Sequence, residues 1–348
     1  MSTGTHILFR TDGNGGIGLG HVMRCLTIAD ALKEMHAMAS FVTSDRIPEA
    51  LITSRGYSCR VLDNDFRKKD EADARETVSV ADEAGASLVF VDSYAADDPY
   101  LLALGKKKHV ALISNLPKTF PADLLINDNL ACDTDGMRAL YQGTQTVLLL
   151  GSSYAPIRKE FLEASCTVEP VVRTVLITTG GGDQTGFMPA FLTHALKHPL
   201  CKNLHYICVS GFCNTHRDRL VSLAGMYPQL EILEDVRDMA SLMERADLAI
   251  SAGGTTVLEL AVVGVPTIAF SSAPDQVPGL LYMQREGMCR YAGQAADEGF
   301  MDRMFYHFDE LLTDDRLRLR LHTEARRHLD GNGAARIAGA LIRAGGGA

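Results

Sequence analysis

Three glycine-rich stretches, each directly after a short apolar run, carry most of the chemistry this sequence can do. The first reads Gly13-Asn14-Gly15-Gly16-Ile17-Gly18-Leu19-Gly20 and runs into His21. The second is Gly180-Gly181-Gly182-Asp183-Gln184-Thr185-Gly186; the third is Ser251-Ala252-Gly253-Gly254-Thr255-Thr256, with Glu259 shortly after it. Glycine and small hydroxyl residues let a phosphate approach backbone amides at a helix start, where the helix dipole favours negative charge. Glu259 then lies one turn into the third helix, on the face of Thr255 and Thr256, where a carboxylate can accept hydrogen bonds from a ribose diol. His21 falls in the first turn of the helix that follows Gly18 and Gly20, with Val22 and Leu26 on the apolar side. A neutral imidazole in that place can act as a general base.

Competing readings of the same residues are weaker. Gly13-Asn14-Gly15-Gly16-Ile17-Gly18 satisfies the G-x-G-x-x-G spacing of a dinucleotide loop, but the glycines continue to Gly20, and Asp45 lies 27 positions beyond Gly18 rather than about 20. No glycine is followed by Lys and Ser or Thr at Walker A spacing. Asp183 and Thr185 suit a helix cap. His194 and His198 share i, i+4 spacing without a third ligand, which reads as two surface helix positions rather than a metal site. Lys106-Lys107-Lys108 reads as a solvated face. The eight cysteines form no C-x-x-C pair, so neither a zinc knuckle nor a disulfide framework is indicated.

Positioning these loops requires a scaffold that brings them to one edge. Apolar β-like runs at 6–10, 39–43, 87–92, 110–114, 124–127 and 147–150 alternate with mixed or helical stretches, which predicts a parallel sheet covered by helices. The pattern restarts at 173–179 and continues through 204–210, 231–234, 248–251 and 267–270. The fold class is therefore α/β, with two Rossmann-like domains: 1–150, a connection at 151–172, and 173–348. Ligands of such sheets bind beyond the carboxyl ends of the strands, so the two domains are expected to face a common cleft. Helical patterns at 316–328 and 334–343 end the chain, the last free to join either domain.

With 348 residues, 46% of them hydrophobic, the chain can bury two sizeable cores. A net charge of −9 provides no global basic field for nucleic acid or an anionic membrane. The stretch 248–270 is apolar enough to suggest a membrane span, but Gly253-Gly254, Glu259 and Pro266 break it into strand, loop and helix. The first residues lack the basic start and apolar run of a secretory signal, and scattered thiols fit a reducing compartment, so a cytoplasmic protein is expected. No oligomeric state follows from these patterns.

Ile17-Gly18-Leu19-Gly20-His21-Val22-Met23-Arg24-Cys25-Leu26-Thr27-Ile28-Ala29 closely resembles the N-terminal signature of the UDP-sugar hydrolase family of pseudaminic acid biosynthesis. That family acts on UDP-2,4-diacetamido-2,4,6-trideoxy-β-L-altropyranose. Val91-Asp92-Ser93-Tyr94, Leu125-Ile126-Asn127-Asp128-Asn129 and the two later glycine loops resemble its other landmarks, in the same order along nearly the whole chain. The resemblance implies a GT-B architecture, similar to that of the peptidoglycan N-acetylglucosaminyltransferase, with a UDP-sugar substrate and neither metal nor organic cofactor. It implies that His21 activates water and that Gly18, Gly20 and Tyr94 bind the substrate. By the same resemblance Gly253, Gly254, Thr255 and Thr256 hold the diphosphate, Glu259 the ribose, and the backbone near Val236 the uracil.

Two departures bear on the sugar. Asp275-Gln276 stands where the family has Asn-Gln, and Ser114-Asn115 where an acidic pair is common. The chemistry is coherent in itself: UDP is a good leaving group, so amides and a helix dipole can replace a general acid, leaving one base and one water. A glycosyltransferase using the same UDP site, and a nucleotide-sugar-binding protein without catalysis, remain the alternatives.

Overall fold

The computed structural model describes residues 4–14, 18–65, 67–211, 214–234 and 236–346. The chain divides into two compact units, one running up to Ile157 and resuming from Gly331, the other spanning Arg158–Asp330.

The first unit holds a parallel sheet of β1 (His6–Thr11), β2 (Met38–Thr43), β3 (Ser58–Val61), β4 (Leu88–Asp92), β5 (His109–Ile113), β6 (Leu124–Asn127) and β7 (Val147–Leu150), in the order β3-β2-β1-β4-β5-β6-β7. β4 and β6 are buried at every position, as expected of parallel strands covered on both faces. β3 reads Ser-Cys-Arg-Val, is half exposed and pairs only with β2. An edge strand need not be apolar throughout, which explains why hydrophobic runs did not reveal it. Phe9 packs against Phe41 and Phe90, each at 5.0 Å between centroids, at the centre of one core. The final helix, Gly333–Gly345, buries Ile337, Ala338 and Leu341 in that core with Val22, Leu26 and Ala29 of helix Gly20–Glu34. Of the two domains it was free to join, it belongs to the first unit.

The second unit repeats the design with β8 (Thr174–Thr178), β9 (His205–Val209), β10 (Leu230–Leu233), β11 (Leu248–Ala252), β12 (Thr267–Ser271) and β13 (Arg290–Gln294), ordered β10-β9-β8-β11-β12-β13. β13, Arg-Tyr-Ala-Gly-Gln, is the other strand that the apolar pattern missed, again at an edge. Phe187, Phe191, Phe270, Phe300 and Phe308 fill its core. The stretch 151–172 is ordered on both sides of the division. Ser152–Tyr154 is a 3₁₀ turn in the first unit and Lys159–Glu163 a helix in the second, where buried Arg318 donates to the carbonyls of Glu169 and Pro170 at 2.8 Å. Among the described residues, no helix is long and apolar enough to cross a membrane.

Candidate active site

In each sheet the strand order reverses between two neighbours, β1 and β4 in the first unit, β8 and β11 in the second. Loops leaving the carboxyl ends of such a pair diverge and open a crevice. The glycine loops singled out above follow β1, β8 and β11.

In the first unit, Gly15-Gly16-Ile17 lie outside the described residues, but their flanks are clear. The Gly18 amide donates to the Asn14 carbonyl at 2.8 Å, and Gly18 has φ +73°, a value a side chain would strain. Asn14 Nδ2 donates to Asp45 at 2.8 Å, so the acid considered for a dinucleotide ribose closes the loop instead. The helix begins one residue earlier than expected, at Gly20, which places His21 at its second position.

His21 Nδ1 lies 2.5 Å from Oδ1 of Asp92, the last residue of β4. Arg24 donates to both oxygens of Asp92, at 2.8 and 3.0 Å, and reaches Asp128 at 3.2 Å. Burial alone pushes the Asp92 carboxyl up, but the Arg24 charge and the His21 contact hold it below the usual carboxylate range. The carboxylate is thus a fixed anion behind the imidazole, and with Nδ1 engaged, Nε2 is the ring nitrogen left for a reactant. The Tyr94 ring stands edge-on to His21, centroids 4.6 Å apart, and is 87% exposed. His21, Asp92, Ser93, Tyr94, Asp12 and Arg67 line a cavity of about 280 Å³.

Behind this cavity lies a charge cluster that sequence reasoning missed. Asp12 accepts from Arg10 at 2.8 Å, from the Ser44 amide at 2.7 Å, and pairs with Lys69 at 2.8 Å. Asp73 takes Arg10 through two bonds, 2.6 and 3.1 Å, with the Tyr100 hydroxyl at 2.8 Å. Burial works against both acids, yet Arg10 and Lys69 hold them below their usual range. Two cations and two anions compensate one another, which makes their near-complete burial affordable.

In the second unit, Asp183 is buried and accepts from the amides of Phe187 and Met188, both at 2.9 Å, the capping role expected of it. Gly253 has no room for a side chain, since a Cβ would lie 2.7 Å from Leu280 Cδ1 and 3.1 Å from Gln276 Cβ. Gly254 begins helix Thr255–Val263, which has no side-chain cap; Gly254 and Thr255 are exposed and Thr256 half-buried. Glu259 is buried on that helix and accepts from Arg158 Nε and Nη2 at 3.1 and 2.9 Å. Burial pushes its carboxyl up against the pull of Arg158. Glu259 is therefore not the solvated glutamate of a bare helix face; its guanidinium partner comes from a segment 101 residues away. Gln276 folds back to accept from Ser272, whereas Asp275 is exposed on the same 3₁₀ turn, Pro274–Gln276. Val236 lies half-buried in the loop after β10.

The structure thus joins His21 to Tyr94 and Gly253 to Gln276. Asp92, Arg24 and Asp128 sat inside recognised stretches with no role assigned. For the two acids the signal was position, at or just past the end of an apolar run, where parallel strands present ligand-facing residues; Arg24, one turn after His21 on the same helix, had no such mark.

Residues 174–277 match the glycosyltransferase family 28 C-terminal domain. The chain is 23% identical over 348 residues to the spore coat polysaccharide biosynthesis protein SpsG of Bacillus subtilis, covering 97% of each. It is 22% identical over 286 residues to the UDP-2,4-diacetamido-2,4,6-trideoxy-β-L-altropyranose hydrolase of Campylobacter jejuni, covering 81% of this chain and 97% of that protein. Among solved structures, MurG of Acinetobacter baumannii superposes with a TM-score of 0.67 at 17% identity, over 97% of this chain and 99% of that one. The fold is of the GT-B type.

Proposed function

We propose that this protein hydrolyses a UDP-activated diacetamido-trideoxy sugar to UDP and free sugar, by attack of water at the anomeric carbon, as a step in nonulosonate formation. The observation that carries this reading is the His21–Asp92 pair beside a cavity edged by an exposed tyrosine. Asp92 holds Nδ1, so Nε2 takes the proton of water as the oxygen attacks, and the buried anion compensates the charge that the ring acquires. On the UDP side, the uncapped start of helix Thr255–Val263 stabilises the leaving diphosphate through amides and dipole, which removes the need for a general acid or metal. Glu259, steadied by Arg158, accepts from the ribose, and Val236 lies in the loop assigned to the uracil. Attack opposite the departing UDP inverts the anomeric centre. Similarity to the Campylobacter hydrolase along 97% of its length supports this chemistry.

A second reading, transfer of the sugar to an acceptor, is favoured by the match of 174–277 to a glycosyltransferase domain. Incubating the purified protein with a panel of UDP-sugars in ¹⁸O-water, without acceptor and with a chelator, separates the two. Hydrolysis at carbon releases UDP and labels the anomeric hydroxyl. Label in UDP means attack at phosphorus, and no release without an acceptor means a transferase or a binding protein.

A further inference from the structure

Helix Phe187–Ala195 ends earlier than its sequence suggests, so His194 and His198 are not two positions of one exposed helix face. His198 instead lies in a tight turn, its amide bonded to the carbonyls of His194 and Ala195 at 3.1 Å, and the Cys201 amide closes back on the His198 carbonyl at 3.0 Å. The Cys201 carbonyl is fixed in turn by the buried Tyr206 hydroxyl at 3.0 Å. Opposite this turn runs helix Phe300–Thr313, which carries Asp309. Helix Phe187–Ala195, which leads into the turn, is packed on helix Phe300–Thr313 by Phe191, stacked on Phe305 at 5.0 Å and edge-on to Phe308 at 5.2 Å.

We infer that His198, Cys201 and Asp309 form a zinc site that ties this turn to helix Phe300–Thr313. One nitrogen, the sulfur and one carboxylate oxygen of the three residues all lie within 4.8 Å of one another. His198 Nδ1 and Cys201 Sγ are 3.4 Å apart. With Zn–S near 2.3 Å and Zn–N near 2.0–2.1 Å, a tetrahedral ion spaces such a pair by ~3.5 Å. Asp309 Oδ1 is buried and has no hydrogen-bond partner among the described residues, a costly arrangement for a carboxylate oxygen. A divalent cation with a thiolate, a carboxylate and a neutral imidazole is a neutral unit, which suits the surroundings of Cys201 Sγ. As the Zn–S bond forms, the thiol proton is displaced to solvent. The thiolate selects zinc over magnesium or calcium, and water completes the fourth position. Entry is from the His198 side, since His198 borders a cavity of about 430 Å³ shared with the exposed His194 and with Phe305. This site stands apart from the residues assigned to the reaction, and its role is to hold the second unit's fold.

The test uses the full chain stripped of metal and titrated with Co²⁺, a spectroscopic stand-in for zinc. One equivalent should produce a thiolate-to-cobalt charge-transfer band with the intense visible bands of tetrahedral coordination, and Zn²⁺ should displace it. His198→Gln should weaken binding at least ~10-fold by removing one protein ligand. Cys201→Ser should abolish the charge-transfer band, Asp309→Asn should weaken binding, and His194→Gln should change nothing. Bound zinc should also raise the melting temperature of the wild type but not of His198→Gln. Absence of a thiolate band in the wild type, or a band of unchanged affinity in His198→Gln, overturns the inference.

Discussion

Replacing Asp92 by Asn keeps the shape of the side chain and removes its charge. The present carboxylate accepts from His21 at 2.5 Å, from Arg24 at 2.8 and 3.0 Å, and from the Cys25 thiol at 3.7 Å. An amide has one oxygen for these donors and turns its NH₂ toward the rest. Either the imidazole loses the partner that fixes its orientation and proton position, or Arg24 meets a donor. Loss of an oriented base costs about 10²- to 10⁴-fold in kcat. Stability should fall less, by about 1–3 kcal/mol, because Arg24 keeps Asp128 at 3.2 Å. UDP affinity, assigned to residues of the second unit, should stay near wild type. The measurements are kcat from UDP release, urea denaturation and calorimetric titration with UDP. The pH dependence adds a sign: the folded Asp92 carboxyl sits below its ordinary value, so the anion persists from neutral pH down past ~4 and is lost only as pH falls through the folded value. The acid limb of activity above that range therefore does not come from Asp92. A folded Asp92→Asn enzyme that turns over within a few-fold of wild type would refute the oriented-base argument.

Four further outcomes are expected. His21→Asn or His21→Phe should lose about 10²- to 10⁴-fold in turnover yet bind UDP normally by calorimetry; loss of both points to misfolding or a binding role. Glu259→Ala should weaken UDP binding by roughly 10- to 150-fold, and unchanged affinity in a folded variant removes Glu259 from the site. Asp275→Asn should shift preference across a UDP-sugar panel more than it shifts UDP affinity, since Asp275 is exposed and bonded to nothing that Gln276 holds; identical kinetics reject the role. Arg10→Met should cost about 3–5 kcal/mol in urea denaturation, because it leaves the two buried anions of the cluster, Asp12 and Asp73, with the single cation Lys69. That stabilisation should be intact above ~4, where the unfolded carboxylates are ionised, and fade as pH falls through the lowered folded values.

What the sequence disclosed and what it hid differ in physical kind. Nine interior strands announced themselves because a parallel strand covered on both faces must be apolar along its length, as in Leu88-Val89-Phe90-Val91 or Leu124-Leu125-Ile126, and the edge strands β7 and β10 were legible only because their own residues happen to be apolar. β3 and β13 were silent because a sheet edge relaxes that demand. The glycine loops were legible for a local reason too: Gly18 needs a positive φ, and Gly253 has Leu280 where its Cβ would go. Partnerships between charges have no such local mark. Asp92 meets His21 across 71 positions, Asp73 meets Arg10 across 63 and Glu259 meets Arg158 across 101, and each pair exists only once the strands or helices have been ordered in space. The same holds for His198, Cys201 and Asp309, where the visible histidine spacing, 194 to 198, pointed along a helix that stops at Ala195. Alternation of apolar runs predicts the frame and the edge where ligands bind. The partner of each reactive side chain is set by strand order, and strand order depends on which runs pair, a long-range choice that no window of residues records.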